Sequence, residues 1–451
     1  MKDKSATIRC PIHGSIHLNS RELRLIDSPY FQRLRYISQL GFASFVFPGA
    51  VHTRFGHSLG SVHLAGKVYE QLMEASGDLL KNFYNKEQLE YFRQILRFSA
   101  LLHDIGHPPF SHAGESILPD IGTLPYLKHS SKQQERQATH EDFSLAIIHH
   151  LSGNEKILTR EESQDIISIL ALRDEPSARM NSREGSPIIY PLLCQLINGE
   201  IDVDRMDYLL RDAYYAGVPY GKFDLERLIG SFSCYLEKDL NQFLLAIDGE
   251  AVPTYENFLM ARIHMFYQIY FHKSLGAYSY YLKKVFDEEE IALNLNGSLE
   301  NYLNISEAAL MEEFRKARDK KWSGKIHYRI PAKNLIRVNN SDKERLKILF
   351  DVEELLKTNQ IETYVSYSSN HFSTQIKNVR IHRKTIVVID EEFGFKTATP
   401  LAEKSSLLED REKLIEITQL YINREQYQDV ISLIQKHRPQ LSPTADRVIS
   451  L

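Results

Sequence analysis

The stretch His103-Asp104-Ile105-Gly106-His107-Pro108-Pro109-Phe110-Ser111-His112 places three imidazoles and one carboxylate within ten residues. It closes an apolar helical run. Between Gln94 and Asp104, Ile95, Phe98, Ser99 and Leu102 recur at helical spacing, which predicts a helix with one inward stripe. Pro108 and Pro109 cannot continue it, so the helix is expected to stop near His107. Successive helical residues differ by about 100°, so His103 and Asp104 cannot share a helical face. They can hold one ion only where the helix is ending and further ligands arrive from elsewhere. Taken alone, a His-Asp pair more often marks a capped helix end with part-exposed imidazoles.

Two other stretches change that reading. Upstream, His52-Thr53-Arg54-Phe55-Gly56-His57-Ser58 puts Arg54 and His57 three apart, where a helix offers a cation beside an imidazole. Downstream, Asp204, Tyr208 and Asp212 fall at i, i+4 and i+8, a polar stripe where a buried helix carries Leu or Val. In isolation that stripe reads as a solvated face. Together His57, His103, Asp104 and Asp204 make the order H…HD…D, which resembles the HD phosphohydrolase superfamily. The resemblance implies that these four hold one divalent metal ion, and two imidazoles with two carboxylates suit Mn, Fe, Mg, Zn, Co or Ni.

The composition agrees with a folded enzyme and excludes several alternatives. The chain has 451 residues, 43% of them hydrophobic and 25% charged, which is enough for a large core and too apolar for disorder. The net charge of -4 provides no global field for a polyanion, so an anionic ligand must be held locally. No basic stripe with interleaved aromatics marks a nucleic-acid groove. Cys10, Cys194 and Cys234 are odd in number and far apart, so neither a disulfide framework nor a Cys-based zinc ribbon is available. Met1 to Arg9 is polar and no run approaches the ~20 apolar residues of a membrane span, which leads us to expect a cytoplasmic protein with no membrane partner.

From Ser20 to Leu293 the pattern is mainly helical, with an exposed connection from Tyr126 to Gln137 and a further helix beginning near Thr139. Tyr235, the turn residues Asp239 to Asn241, and Phe243 to Ile247 predict an inserted β-hairpin. Beyond Lys283, helical stretches at Asp287 to Glu290 and Ser306 to Asp319 alternate with β-like runs at Ile326 to Ile330, Val379 to Ile381 and Thr385 to Ile389. The expected fold is mainly α: an HD-domain helical core over residues 1–287 carrying the hairpin, and a smaller C-terminal α+β lobe over residues 288–451.

A narrower resemblance lies in Asp27 to Gly41 (DSPYFQRLRYISQLG), in Phe47-Pro48-Gly49-Ala50 and in Arg54 to His57. These are similar to the deoxynucleoside triphosphate triphosphohydrolases, the branch with bacterial dGTPase-like enzymes and the mammalian SAM-and-HD-domain protein. The likeness runs from about Pro11 to Lys273, and no SAM domain precedes it. It implies a catalytic His112 with Glu115, aided by His140. Arg54, His107, His140, Arg205 and Arg262, with Tyr208, match positions that hold the triphosphate. Gln39 and Asp212 match the pair that reads the sugar 3′-hydroxyl. Leu40 and Tyr270 match the wall against the deoxyribose.

Asp27, Gln32 and Arg35 match part of a site for an activating nucleotide. There Arg9 and Cys10 replace an Asn-Asp pair, and Phe271 replaces the Gln that follows the tyrosine matched by Tyr270. The resemblance also implies a homo-oligomer, with a tetramer favoured. Two other functions compete with a dNTP triphosphohydrolase: an HD phosphohydrolase for another nucleotide, and a low-turnover nucleotide-binding regulator.

Overall fold

The computed structural model describes residues 5–123, 136–153, 155–173, 176–177, 179–180, 185–292, 299–371, 382, 384–408 and 414–437. Helices dominate, as the 3.6-residue periodicity requires. The long helix α1 (Arg54–Lys81) packs against α2 (Lys86–Leu102), and both lie in a first compact unit with α3 (His140–Gly153), α4 (Val203–Ala216) and α5 (Val252–Met265). Asn85 and Gln88 form a capping box that starts α2. Its predicted inward residues Ile95, Phe98, Ser99 and Leu102 are at most 1% exposed, but so are Leu96, Ala100 and Leu101. The stripe is wider than predicted because α2 also packs on helices Arg160–Leu170 and Tyr190–Asn198.

The helix ends at Leu102, earlier than the prolines demand, and His103 is its C-cap. Two tight turns follow, with Ile105 N donating to Leu102 O at 3.2 Å and His107 N to Asp104 O at 3.1 Å. His103 and Asp104 therefore leave the helix on one side.

The predicted hairpin is present as β1 (Phe232–Glu237) and β2 (Gln242–Asp248), turning with Asn241 at φ 49°. It is half of a four-stranded sheet. Strand β3 (Val387–Glu392) runs parallel to β2, and β4 (Phe395–Pro400) closes the sheet antiparallel to β3. Residues 299–310 and 384–408 thus belong to the first unit, and the chain crosses between units several times instead of once near residue 288.

The second unit holds Phe266–Ala292 and residues 311–371 and 414–437. Its sheet places strand Leu414–Ile422 between Lys333–Asn339 and Thr363–His371, with helices Lys343–Thr358 and Tyr427–His437 packed on a core of Leu335, Val338, Leu349, Leu420 and Val430. Ile326 to Ile330, expected as a strand, is instead the end of helix Lys321–His327 and the turn after it. Trp322 and Ile326, four apart, share its buried face, and the Glu290 carboxylate caps its N-terminus by accepting from Trp322 N at 2.9 Å and Ser323 N at 2.6 Å. Val379 to Ile381 and most of the predicted Tyr126 to Gln137 connection lie outside the described residues.

Candidate active site

Three helix ends meet in the first unit. The first turn of α1 carries Arg54 and His57, the C-cap of α2 is His103, and α4 opens with Asp204 under an Asp202 cap that accepts from Arg205 N at 2.7 Å. His57 Nε2 stands 3.3 Å from His103 Nε2 and 3.0 Å from Asp204 Oδ1. His103 Nε2 is 3.4 Å from the same Asp204 oxygen, and the two oxygens of Asp104 lie 3.4 Å from the two imidazoles. Adjacent donors bound at about 2.1 Å to one ion stand about 3.0–3.4 Å apart, so this spacing fits a single divalent cation.

The tautomers fit as well. His57 Nδ1 is 2.7 Å from Asp207 Oδ2, and His103 Nδ1 is 2.8 Å from Ala100 O. A carbonyl only accepts, so His103 Nδ1 carries hydrogen and Nε2 is the ring nitrogen turned to the cluster. Burial opposes a charge on His57, yet hydrogen bonds with Asp204 and Asp207 lift it to about 10. Burial likewise opposes ionisation of Asp104, and the Arg54 charge nevertheless holds it well below the usual carboxylate range. The cluster is short of positive charge, which a divalent ion supplies.

A second group adjoins it. His107, His112, Glu115 and His140 bring ligand-capable atoms within 4.8 Å of one another. Glu115 Oε1 accepts from His112 Nδ1 at 3.0 Å and from His140 Nδ1. Burial resists the charge on Glu115, but these two donors carry its carboxyl down to about 2. His107 stacks on His140 at 3.8 Å and reaches Asp104 Oδ1 at 3.3 Å, while burial and the Arg54 charge keep its imidazole well below the usual range. His112 is 70% exposed, the open member of the group.

Arg54 joins the two clusters. Its Nη1 donates to Asp104 Oδ2 at 2.5 Å and its Nε to Ser111 Oγ at 3.0 Å. Phe110 and Ser111 occupy the left-handed region at φ 63° and 53°, a strained turn for residues with side chains.

The remaining predicted residues divide. Asp212 pairs with His52, and Gln39 is buried with no partner for its Oε1; Leu40 is half-buried. Tyr208 lies near Arg205 and Arg262, and burial raises its hydroxyl to about 12. Arg205 turns to Asp202 at 2.6 Å, and Arg262 lies 3.7 Å from Glu200. Tyr270 falls in the second unit, its ring 4.9 Å from Phe266. Asp27 is the C-cap of helix Ser20–Ile26, Gln32 donates to Ile26 O at 2.9 Å, and Arg35 donates to Gln32 while lying 3.5 Å over the Phe55 ring.

Three contributors escaped the sequence. Asp207 is fully buried and accepts from His13 Nε2 at 2.6 Å, from His57 Nδ1, and from Arg211 Nε and Nη2 at 2.8 Å each. Its i, i+4 spacing to Arg211 was the available signal. Glu307 accepts from Ser38 N at 2.7 Å and Phe110 N at 2.8 Å, which nothing local announces. His52 holds Asp212 from a loop.

Residues 54–212, the span from Arg54 to Asp212, match the family model of the HD domain. The chain is 33% identical over 314 residues to the uncharacterized protein MJ1154 of Methanocaldococcus jannaschii, covering 68% of this chain and 56% of that one. It is 31% identical over 330 residues to the deoxynucleoside triphosphate triphosphohydrolase SAMHD1 of Gallus gallus, covering 68% of this chain and 50% of that one. The chain thus spans about half the length of these curated relatives. A crystal structure of a hypothetical protein from Aquifex aeolicus matches with a TM-score of 0.72 at 27% identity, over 96% of this chain and 100% of that one. The chain is also similar, at 30% identity over 341 residues, to the deoxynucleoside triphosphate triphosphohydrolase SAMHD1 homolog of Dictyostelium discoideum, covering 74% of this chain and 60% of that one. No helix among the described residues is long and apolar enough to cross a membrane.

Proposed function

We propose that this protein hydrolyses deoxynucleoside triphosphates to a deoxynucleoside and inorganic triphosphate, with one divalent cation held by His57, His103, Asp104 and Asp204. The observation that carries the reading is the 3.0 to 3.4 Å convergence of His57, His103 and Asp204, with Asp104 oxygens 3.4 Å from both imidazoles, beside the His112, Glu115 and His140 group. When bound, such a cation polarises a phosphoryl group and lowers the pKa of a bound water.

The chain's own residues do the rest. His112 Nδ1 donates to Glu115, so a protonated ring can release its Nε2 proton to the departing 5′-oxygen and remain a neutral, oriented imidazole. Glu115 stays ionised near neutral pH and holds the ring through its Nδ1–H. A triphosphate carries about four negative charges, and several cations are needed to offset its desolvation. Arg54 and His107, with His140, Arg205, Tyr208 and Arg262, are assigned to that tail, Arg205 and Arg262 exchanging their present partners Asp202 and Glu200 for phosphate. Gln39 and Asp212 are assigned to the 3′-hydroxyl, and Leu40 and Tyr270 to the deoxyribose wall. Asp27, Gln32 and Arg35 are assigned to an activating nucleotide in a cytoplasmic homo-oligomer, a tetramer.

The test is to incubate the protein with each dNTP and rNTP plus Mn or Mg, with and without GTP, and to resolve products by ion exchange. Triphosphate released from dNTPs supports the reading; diphosphate or monophosphate release sinks it. His103→Ala or Asp104→Ala is expected to lose both bound metal and turnover. His112→Ala is expected to keep the metal while rate falls by about 10²- to 10⁴-fold.

A further inference from the structure

The chain from Ile37 to Arg54 folds back on itself. Gln39 N donates to His52 O at 3.0 Å and Arg54 N to Ile37 O at 2.9 Å, around an antiparallel bridge between Ser38 and Thr53. The Phe47-Pro48-Gly49-Ala50 turn lies on the end of α4, where a Cβ on Gly49 would stand 2.5 Å from Tyr215 O. Only glycine permits that approach. The result brings His52 onto Asp212, with Nε2 at 2.8 Å from Oδ1 and side chains only 3% and 2% exposed. The ring lies face to face with Tyr215, centroids 4.6 Å apart and planes 14° apart.

A carboxylate oxygen accepts, so His52 Nε2 carries the hydrogen. A carboxylate held at one oxygen by a ring that cannot turn has its second oxygen fixed in direction. On the neighbouring strand of the bridge, Gln39 Oε1 is buried without a hydrogen-bond donor. Such an acceptor is costly to leave unmet, and a ligand hydroxyl can meet it.

We propose that His52 is a positioning residue of the sugar subsite: it orients Asp212 so that, with Gln39, it receives the substrate's 3′-hydroxyl. The inference rests on the triphosphohydrolase reading above. It predicts that a substrate lacking the hydroxyl leaves buried polar groups unmatched and is rejected.

The experiment compares kcat and KM for each dNTP and its 2′,3′-dideoxy counterpart with Mn. The unsubstituted protein is expected to favour the dNTP by about tenfold or more in kcat/KM. His52→Leu should bring that ratio close to one, chiefly by raising KM for the dNTP, with metal bound per chain unchanged. His52→Gln, which keeps an N–H donor, should recover part of the ratio. Equal losses on both substrates, or an unchanged ratio, overturn the proposal and leave a merely structural histidine. If His52→Leu does not fold, Tyr215→Ala, which releases the ring and keeps its donor, must lower the ratio several-fold, and no change there is equally fatal. A protein that hydrolyses no dNTP at all fails earlier, at the proposed reaction, and takes this assignment with it.

Discussion

At Glu115, burial opposes the charged carboxylate while hydrogen bonds from His112 and His140 favour it, and the donors win. Its carboxyl is lowered from the ordinary 4.5 to about 2. A group with a depressed folded value stabilises the fold above its unfolded value and loses that contribution as pH falls through the folded one. The stability advantage over Glu115→Gln should therefore be full above about pH 4.5 and vanish near pH 2, as urea unfolding at successive pH values would show. An advantage that persists at pH 2 contradicts the arrangement. Glu115 was legible because it stands three residues from His112. Asp207 was not, because a buried carboxylate held by Arg211 reads in sequence like an ordinary surface i, i+4 pair.

Among the elements, the contact of α1 with α4 decides the geometry of the centre. Gly60 follows His57 by three residues, and a Cβ there would lie 1.7 Å from Asp207 Oδ1 and 2.5 Å from Arg211 Nη2. Both atoms are fixed by hydrogen bonds and cannot yield. Gly60→Ala is expected to cost about 1–3 kcal/mol of stability and about 10- to 100-fold in metal affinity, since Asp207 orients His57. Unfolding and metal titration of the variant check both, and wild-type values for either would refute the role given to that contact. The helices themselves were readable, because apolar spacing in α2 depends only on local periodicity. The helix Lys321–His327 was not, because its cap comes from Glu290, about 30 residues away, and its single inward Ile resembles a strand signal.

For the whole molecule, a net charge of -4 coexists with a local grouping of Arg54, His107, His112 and His140 near the Asp104 and Asp204 carboxylates. Ligand binding to the folded state alone stabilises it by mass action. Adding Mn at 100 times its dissociation constant should therefore raise stability by about 2.7 kcal/mol, read as a rise in melting temperature that His103→Ala abolishes. A shift that survives in that variant places the ion elsewhere. The sequence conveyed the presence of an α+β part after residue 288, but not that β3 and β4 return to complete the sheet begun by β1 and β2. Parallel pairing of β2 with β3 depends on contacts across more than a hundred residues, which no local pattern records.

That return has a consequence for biosynthesis. When β2 leaves the ribosome, its partner β3 is still some 140 residues from being translated, and the acceptor Glu307, which fastens the Phe110 turn, has not been made either. At about 5–20 residues per second, the nascent hairpin waits roughly 7–28 seconds for the strand that pairs with Ala246 to Asp248. As that interval opens, the three helix ends of the centre already exist as polymer, yet the Glu307 acceptor that fastens the Phe110 turn beside them does not, so that turn is completed only after residue 307 is translated.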